Sequence, residues 1–156
     1  MFTQLKNLIT EYKNNGTIRG LYQSLNQLDP SEFNMHLAKL SGSSILKDSL
    51  PNLLCYLCDN VKSPEFLIPI LELGIHPDTQ NDCGQFPLHL AIENGNEEFV
   101  RILLRFGANP NVADKNGVTP LHISYSYDSL GAIAELLIAN GADLNLRDNL
   151  GKRYLM

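Results

Sequence analysis

Two cysteines and two histidines are the residues in this chain whose types and spacing could carry chemistry. Cys55-Tyr56-Leu57-Cys58 is a C-x-x-C, a spacing used for zinc binding and for thiol–disulfide exchange, but no second pair answers it. His89 and His122 are candidate general bases, and a base needs a reacting partner within hydrogen-bond reach and a pocket around it. Each instead falls at the third position of a predicted helix opened by Pro87 or Pro120, where an imidazole can reach back to the helix start. The chain carries no glycine-rich phosphate loop, no paired carboxylates within an apolar run and no serine elbow. The expectation is therefore no enzyme, no cofactor and no metal.

The elements that position these residues recur along the chain. Gly84, Pro87, His89 and Asn111 match Gly117, Pro120, His122 and Asn145 with a spacing of 33 residues as far as His122, and one extra residue after it. That insertion falls between His122 and Ile133, so it lengthens the loop around Tyr127 to Gly131. Thr119 is placed to cap a helix, with Pro120 at a position where a missing N–H costs nothing. Asp114 to Gly117 has the chemistry of a tight turn, and Gly74, Gly107 and Gly141 end longer helices in left-handed conformation. The period also sets Cys55 and Cys58 where Leu88 and Ala91 lie, which predicts that both cysteines face the core.

Stepping back by the same period from Phe99 gives Phe66 and then Phe33. Leu103, Ile70 and Leu37 align too, as do Phe106, Leu73 and Leu40. Each trio lies at i, i+4 and i+7, which predicts one buried helix face. Asp29-Pro30-Ser31-Glu32 and Ser63-Pro64-Glu65 supply an N-cap and an early proline for two of these helices. Residues 17–42 thus read as a degenerate unit without a hairpin, with Ile18, Leu21, Tyr22, Leu25 and Leu28 on its inner helix. Phe2, Leu5, Leu8, Ile9 and Tyr12 form an extra amphipathic helix, stopped by Asn14-Asn15-Gly16, that covers the open end of a stack.

Asp114 to His122, Ile133 to Leu137 and Asn140 to Asn145 together resemble one unit of an ankyrin repeat. The resemblance implies an all-α solenoid of helix pairs joined by short β-hairpin loops, with an N-terminal helical cap. On this reading residues 1–45 are the cap and 46–156 the repeats, at about 48–80, 81–113 and 114–147 with a partial unit at 148–156. Asn111 and Asn145 follow a pattern that in this family ties down the hairpin by side-chain bonds to backbone. Asparagines at this place, eight residues after a leucine such as Leu103 or Leu137, are in that family also substrates of an asparaginyl hydroxylase of animal cells.

In ankyrin-like stacks the hairpin tips and inner helices make one concave face that binds other proteins. Carried over, the partner-binding positions are Asp82, Cys83, Gln85, Glu93 and Asn94 in one unit and Lys115, Asn116, Val118, Ser126 and Tyr127 in the next. These residues are expected to be free of packing duties, with Tyr127 the first choice of anchor. Phe86 stands where Thr119 stands in the following unit, so one inner helix loses its cap hydroxyl and presents an aromatic ring instead. The short array resembles viral ankyrin proteins that mimic inhibitors of NF-κB and ankyrin effectors of intracellular bacteria. The readings in play are an adaptor or inhibitor, the recognition arm of a longer enzyme cut at Met156, and a structural spacer.

Composition narrows the partner. The formal charge of −5 and pI near 5.3 argue against wrapping nucleic acid. The acid is concentrated: from Pro51 to Ala113, eight carboxylates stand against Lys62, Arg101 and Arg105. Three cysteines without framework spacing fit a reducing compartment. No basic-then-apolar start is present, and runs such as Leu53 to Cys58 are too short to span a bilayer. A monomeric, cytoplasmic protein that takes a protein partner and no membrane is the resulting expectation.

Overall fold

A computed structural model of the chain describes residues 29–31, 33–35, 44–60, 63–127 and 131–153. The expected helix from Phe2 to Tyr12, the inner helix from Ile18 to Leu28, Leu37, Leu40 and the centre of the lengthened loop lie outside these residues. Among the described residues the chain is all helix and turn. We number its helices α1 (Ser44–Asn60), α2 (Leu67–Glu72), α3 (Pro87–Glu93), α4 (Glu97–Arg105), α5 (Pro120–Ser126) and α6 (Gly131–Ala139). A 3₁₀ turn, Pro64–Phe66, leads into α2.

The helix ends follow from local chemistry. Asn96 accepts the Phe99 N–H at 3.2 Å and so caps α4, whose first turn carries Glu97 and Glu98 and whose last turn carries Arg105, matching the helix dipole. At its far end the Gly107 N–H returns to Leu104 and the Ala108 N–H to Leu103. This Schellman closure needs the positive φ of 92° that Gly107 supplies. Helix α6 closes in the same way through Gly141 and Ala142. Asp29 caps the short helical turn that holds Phe33, taking the Ser31 N–H at 2.8 Å. Ser63 does not act so: its hydroxyl turns to the Glu65 carboxylate, and no backbone cap bond forms.

The inner helices α1, α3 and α5 stack in sequence, with α3 packed against both others, and the outer helices α4 and α6 pack behind them. Phe33, Phe66 and Phe99 are all buried, and the rings of Phe33 and Phe66 meet edge to face at 5.2 Å and 73°. Ile70 and Leu103 are fully buried beneath them. The third member of the trio departs from expectation: Leu73 and Phe106 are each 37% exposed. Both are C-cap residues, set just past the last turn where the chain bends away at glycine, so the seven-residue spacing carries them off the buried face.

Helix α1 replaces a hairpin. It starts at Ser44, ahead of the boundary that the sequence sets after residue 45, and runs through Pro51 as one helix of 17 residues. Leu50 and every residue from Asn52 to Cys58 are buried, so this stretch of the helix is covered all round. At the other end cover thins: Ile138 is 38% exposed where its counterparts Leu71 and Leu104 are buried, and Tyr125 is exposed where Ile92 is fully buried.

Candidate protein-binding face

Three hairpin tips are built alike. Asp114 Oδ1 accepts the N–H groups of Asn116 and Val118 at 2.8 and 2.9 Å, and the Asp114 N–H meets the Val118 carbonyl at 3.0 Å. Asp148 does the same for Leu150 and Lys152, and Asn81 for Cys83 and Gln85. Each tip thus pairs its strand-like arms by a single backbone bond closed around a glycine. The tips also hold one another: Asn149 donates its N–H to Asn116 and its side-chain amide to Lys115.

The histidines join each helix start to the next tip. His122 Nδ1 lies 2.8 Å from the Thr119 hydroxyl and 3.2 Å from its N–H, closing a capping box, while Nε2 donates to the Lys152 carbonyl at 3.0 Å. His89 Nε2 donates to Val118 at 2.9 Å in the same manner. Both rings are therefore engaged in scaffold bonds, as their helix position predicts.

A family model described as ankyrin repeats (3 copies) matches residues 54–148, more than half of the chain. The chain belongs to the ankyrin-repeat family. A search of curated proteins finds no match. Ankyrin repeats are, in general, modules for binding other proteins and are typically non-catalytic. Within this ankyrin stack Asn111 joins two units, donating to the Gly141 carbonyl at 3.0 Å and accepting the Asp143 N–H at 2.7 Å. A hydroxylase acting on it would first have to release both bonds.

Cys55 and Cys58 are buried at the inner-helix positions that the period assigns them. Burial pushes the Cys55 thiol up to about 12 and Cys58 well above the ordinary range, so neither supplies a thiolate at neutral pH. Cys55 Sγ lies 3.4 Å from the Gln85 carbonyl, linking α1 to the first tip.

The ten sequence-assigned residues fall at two levels of the stack; Cys83, Gln85, Glu93 and Lys115 line one groove, while Asn94 lines another with Asp59. Asp82, Cys83, Gln85, Lys115, Asn116 and Val118 sit on the tips, and Glu93, Asn94, Ser126 and Tyr127 at the far ends of α3 and α5. Freedom from scaffold duty does not hold for all of them. Asp82 exchanges two hydrogen bonds with Asn52, Gln85 accepts from the Asn81 amide, Asn94 reaches Asp59, and Ser126 bonds the His122 carbonyl. Asn116 supports the following tip through its carbonyl, and Val118 is partly buried against the core. These short polar side chains and main-chain groups lie within reach of the neighbouring unit, and stacking uses them. Among the described residues the side chains of Cys83, Glu93, Lys115 and Tyr127 make no hydrogen bond or ion pair, and Tyr127 is 51% exposed.

A groove of about 350 Å³ opens between the tips and along α3, lined among others by Phe86, His89, Leu90, Glu93, Asp114 and Lys115. Phe86 is half-buried and starts α3 without a side-chain cap bond. Its ring lies 5.4 Å from that of His89, tilted by 31°, and the buried His89 Nδ1 has no partner. Burial pushes Glu93 up, reinforced by the Asp59 and Asp114 carboxylates. The departure of Phe86 from the repeat is the sequence signal for this groove; Leu90 and Asp114 carry none, because only packing turns them toward it.

Proposed function

We propose that the chain is a non-catalytic adaptor or inhibitor that takes a protein partner on the face made by its hairpin tips and inner helices, as a monomer in the cytoplasm. The observation that carries this reading is the division of labour on that face. The recurring geometry of cap and turn is met by Asp114, Thr119, His122 and Asn81, while the side chains of Cys83, Glu93, Lys115 and Tyr127 make no hydrogen bond or ion pair among the described residues. Such side chains lose no existing bond when a partner covers them, and a large aromatic among them suits the role of an anchor. The net charge of −5 turns the reading away from nucleic acid, and three free thiols suit a reducing cytosol. Affinity capture from cytosol followed by mass spectrometry supplies the partner. Binding by variants of this face and of the outer helices then locates its seat; a complex broken only by outer-helix changes sinks the reading.

A further inference from the structure

We propose that the groove beside Phe86 receives an arginine of a basic segment in the partner, its guanidinium laid on the Phe86 ring and paired with Glu93 and Asp114. The proposal rests on the hairpin-face reading above and names the chemistry of what binds there.

Charge argues for a cation. Glu93 and Asp114 line the groove with Lys115 as the one opposing charge among its described lining residues, and none of the three forms an ion pair within 4 Å. Asp59 adds further negative charge near the end of α3, where it accepts from Asn94. Glu93 carries the cost of these neighbours, since burial first and then Asp59 and Asp114 disfavour its ionised form. An incoming cation relieves that cost, whereas an anion adds to it.

Shape argues for arginine over lysine. A planar guanidinium stacks on an aromatic face and pairs with carboxylates through a fork of five donors, while an ammonium is a strongly hydrated point. Phe86 presents a half-buried aromatic ring at the groove, and Leu90 supplies apolar wall for the methylene stem.

The groove wall is also where the repeat loses its cap. The following unit spends Thr119 on closing its cap, and His122 Nδ1 is satisfied by it; here Phe86 leaves His89 Nδ1 buried and unpaired. A buried acceptor without a donor destabilises the fold. The stack thus carries a local defect beneath the groove wall, next to the aromatic ring that stands where the cap hydroxyl would be.

Random linear peptides displayed on phage, selected against the full chain, test the proposal. Enriched peptides should share an arginine, and replacing it by alanine should weaken binding about tenfold or more, equivalent to 1.4 kcal/mol per tenfold. Glu93→Gln and Phe86→Thr should each cause a similar loss, Glu98→Gln on the outer helix none, and the arginine-to-alanine loss should shrink on the Glu93→Gln background. Thermal melts of each variant separate lost binding from lost folding, and Phe86→Thr restores a cap hydroxyl, so it should melt no lower than wild type. Peptides that need no basic residue, yet weaken with Tyr127→Ala, would overturn the arginine site and leave the hairpin-face reading standing. Peptides indifferent to Phe86, Glu93 and Tyr127 alike would overturn both. A pool that never enriches also counts against the arginine site.

Discussion

Asn52 and Asp82 exchange two hydrogen bonds across the first joint of the stack: the Asn52 amide donates to Asp82 Oδ2 at 2.8 Å, and the Asp82 N–H donates to Asn52 Oδ1 at 2.9 Å. Asn52 is 6% exposed and lies in α1, the helix that stands where a tip would be. Asn52 thus holds the first tip by two bonds, as Asn149 of the third tip holds the second.

Asn52→Ala should cost about 1–3 kcal/mol in a urea titration, because it leaves the Asp82 N–H and a carboxylate oxygen without their buried partner. Lys115→Ala, one tip further on and exposed, should stay within roughly ±0.5 kcal/mol. Equal effects would mean that the first joint does not depend on this pair. Asp82 is accordingly a poor probe of binding, since changing it loosens the scaffold.

Phe33→Ala should cost about 3–5 kcal/mol, the loss expected for truncating a large buried side chain. Phe33 is fully buried and meets Phe66 at 5.2 Å. A loss under about 1 kcal/mol in the same titration would remove residue 33 from the core.

That phenylalanine register, the Thr119–His122 cap and the glycine stops were legible because each depends on residues close in sequence or on a strict period. The burial of Cys55 and Cys58 was legible for the same reason. Leu73 and Phe106 were misread, since periodicity marks a helix face but not where the helix ends. The early start of helix α1 at Ser44 was not legible, since no local pattern carries a helix through Pro51 and tertiary packing holds it there. The scaffold bonds of Asp82 and Asn94 join residues 30 and 35 positions apart, and no local pattern announces them.

Acid should weaken the fold through His89. Burial pushes its pKa below the usual value of about 6.5, outweighing the Val118 carbonyl and the Asp114 carboxylate, which favour the charged ring. A lowered folded pKa means that the unfolded chain binds the proton first, so this contribution is full above about pH 6.5 and is lost as pH falls below it. His89→Gln removes the titration. The stability difference between wild type and His89→Gln should therefore shift against wild type between about pH 7 and about pH 5, as followed by denaturant titrations. Glu93 acts with the opposite sign, its raised pKa being relieved by acid, so a double variant with Glu93→Gln isolates the histidine. A difference that stays flat across this window would show that His89 does not titrate as buried.

Binding and stability should separate on the hairpin face. Once a partner is captured, Tyr127→Ala and Glu93→Lys should each weaken the complex at least about thirtyfold, the scale of an interface anchor worth 2 kcal/mol or more. Neither unfolding curve should fall, because among the described residues neither side chain has a hydrogen bond or ion pair to lose, and Glu93→Lys removes a like charge beside Asp59 and Asp114. Arg101→Glu and Arg105→Glu, on the outer helix, should leave binding alone. The reverse pattern would move the partner to the outer side.

The joints between units are packed inner helices crossed by a few polar bonds. His89 to Val118, Asn111 to Gly141 and Asp143, and His122 to Lys152 are hydrogen bonds spanning from one unit to the next, whereas each helix is closed by its own ladder. Such joints, loaded in series by tension on the two ends, share the same force and yield one at a time, the weakest first. The groove beside Phe86 straddles one of them. Parting that joint would take Glu93 and Lys115 away from each other. A partner seated across that joint would act as a splint, stiffening the stack along its length, and its own grip would report how hard the stack is being stretched.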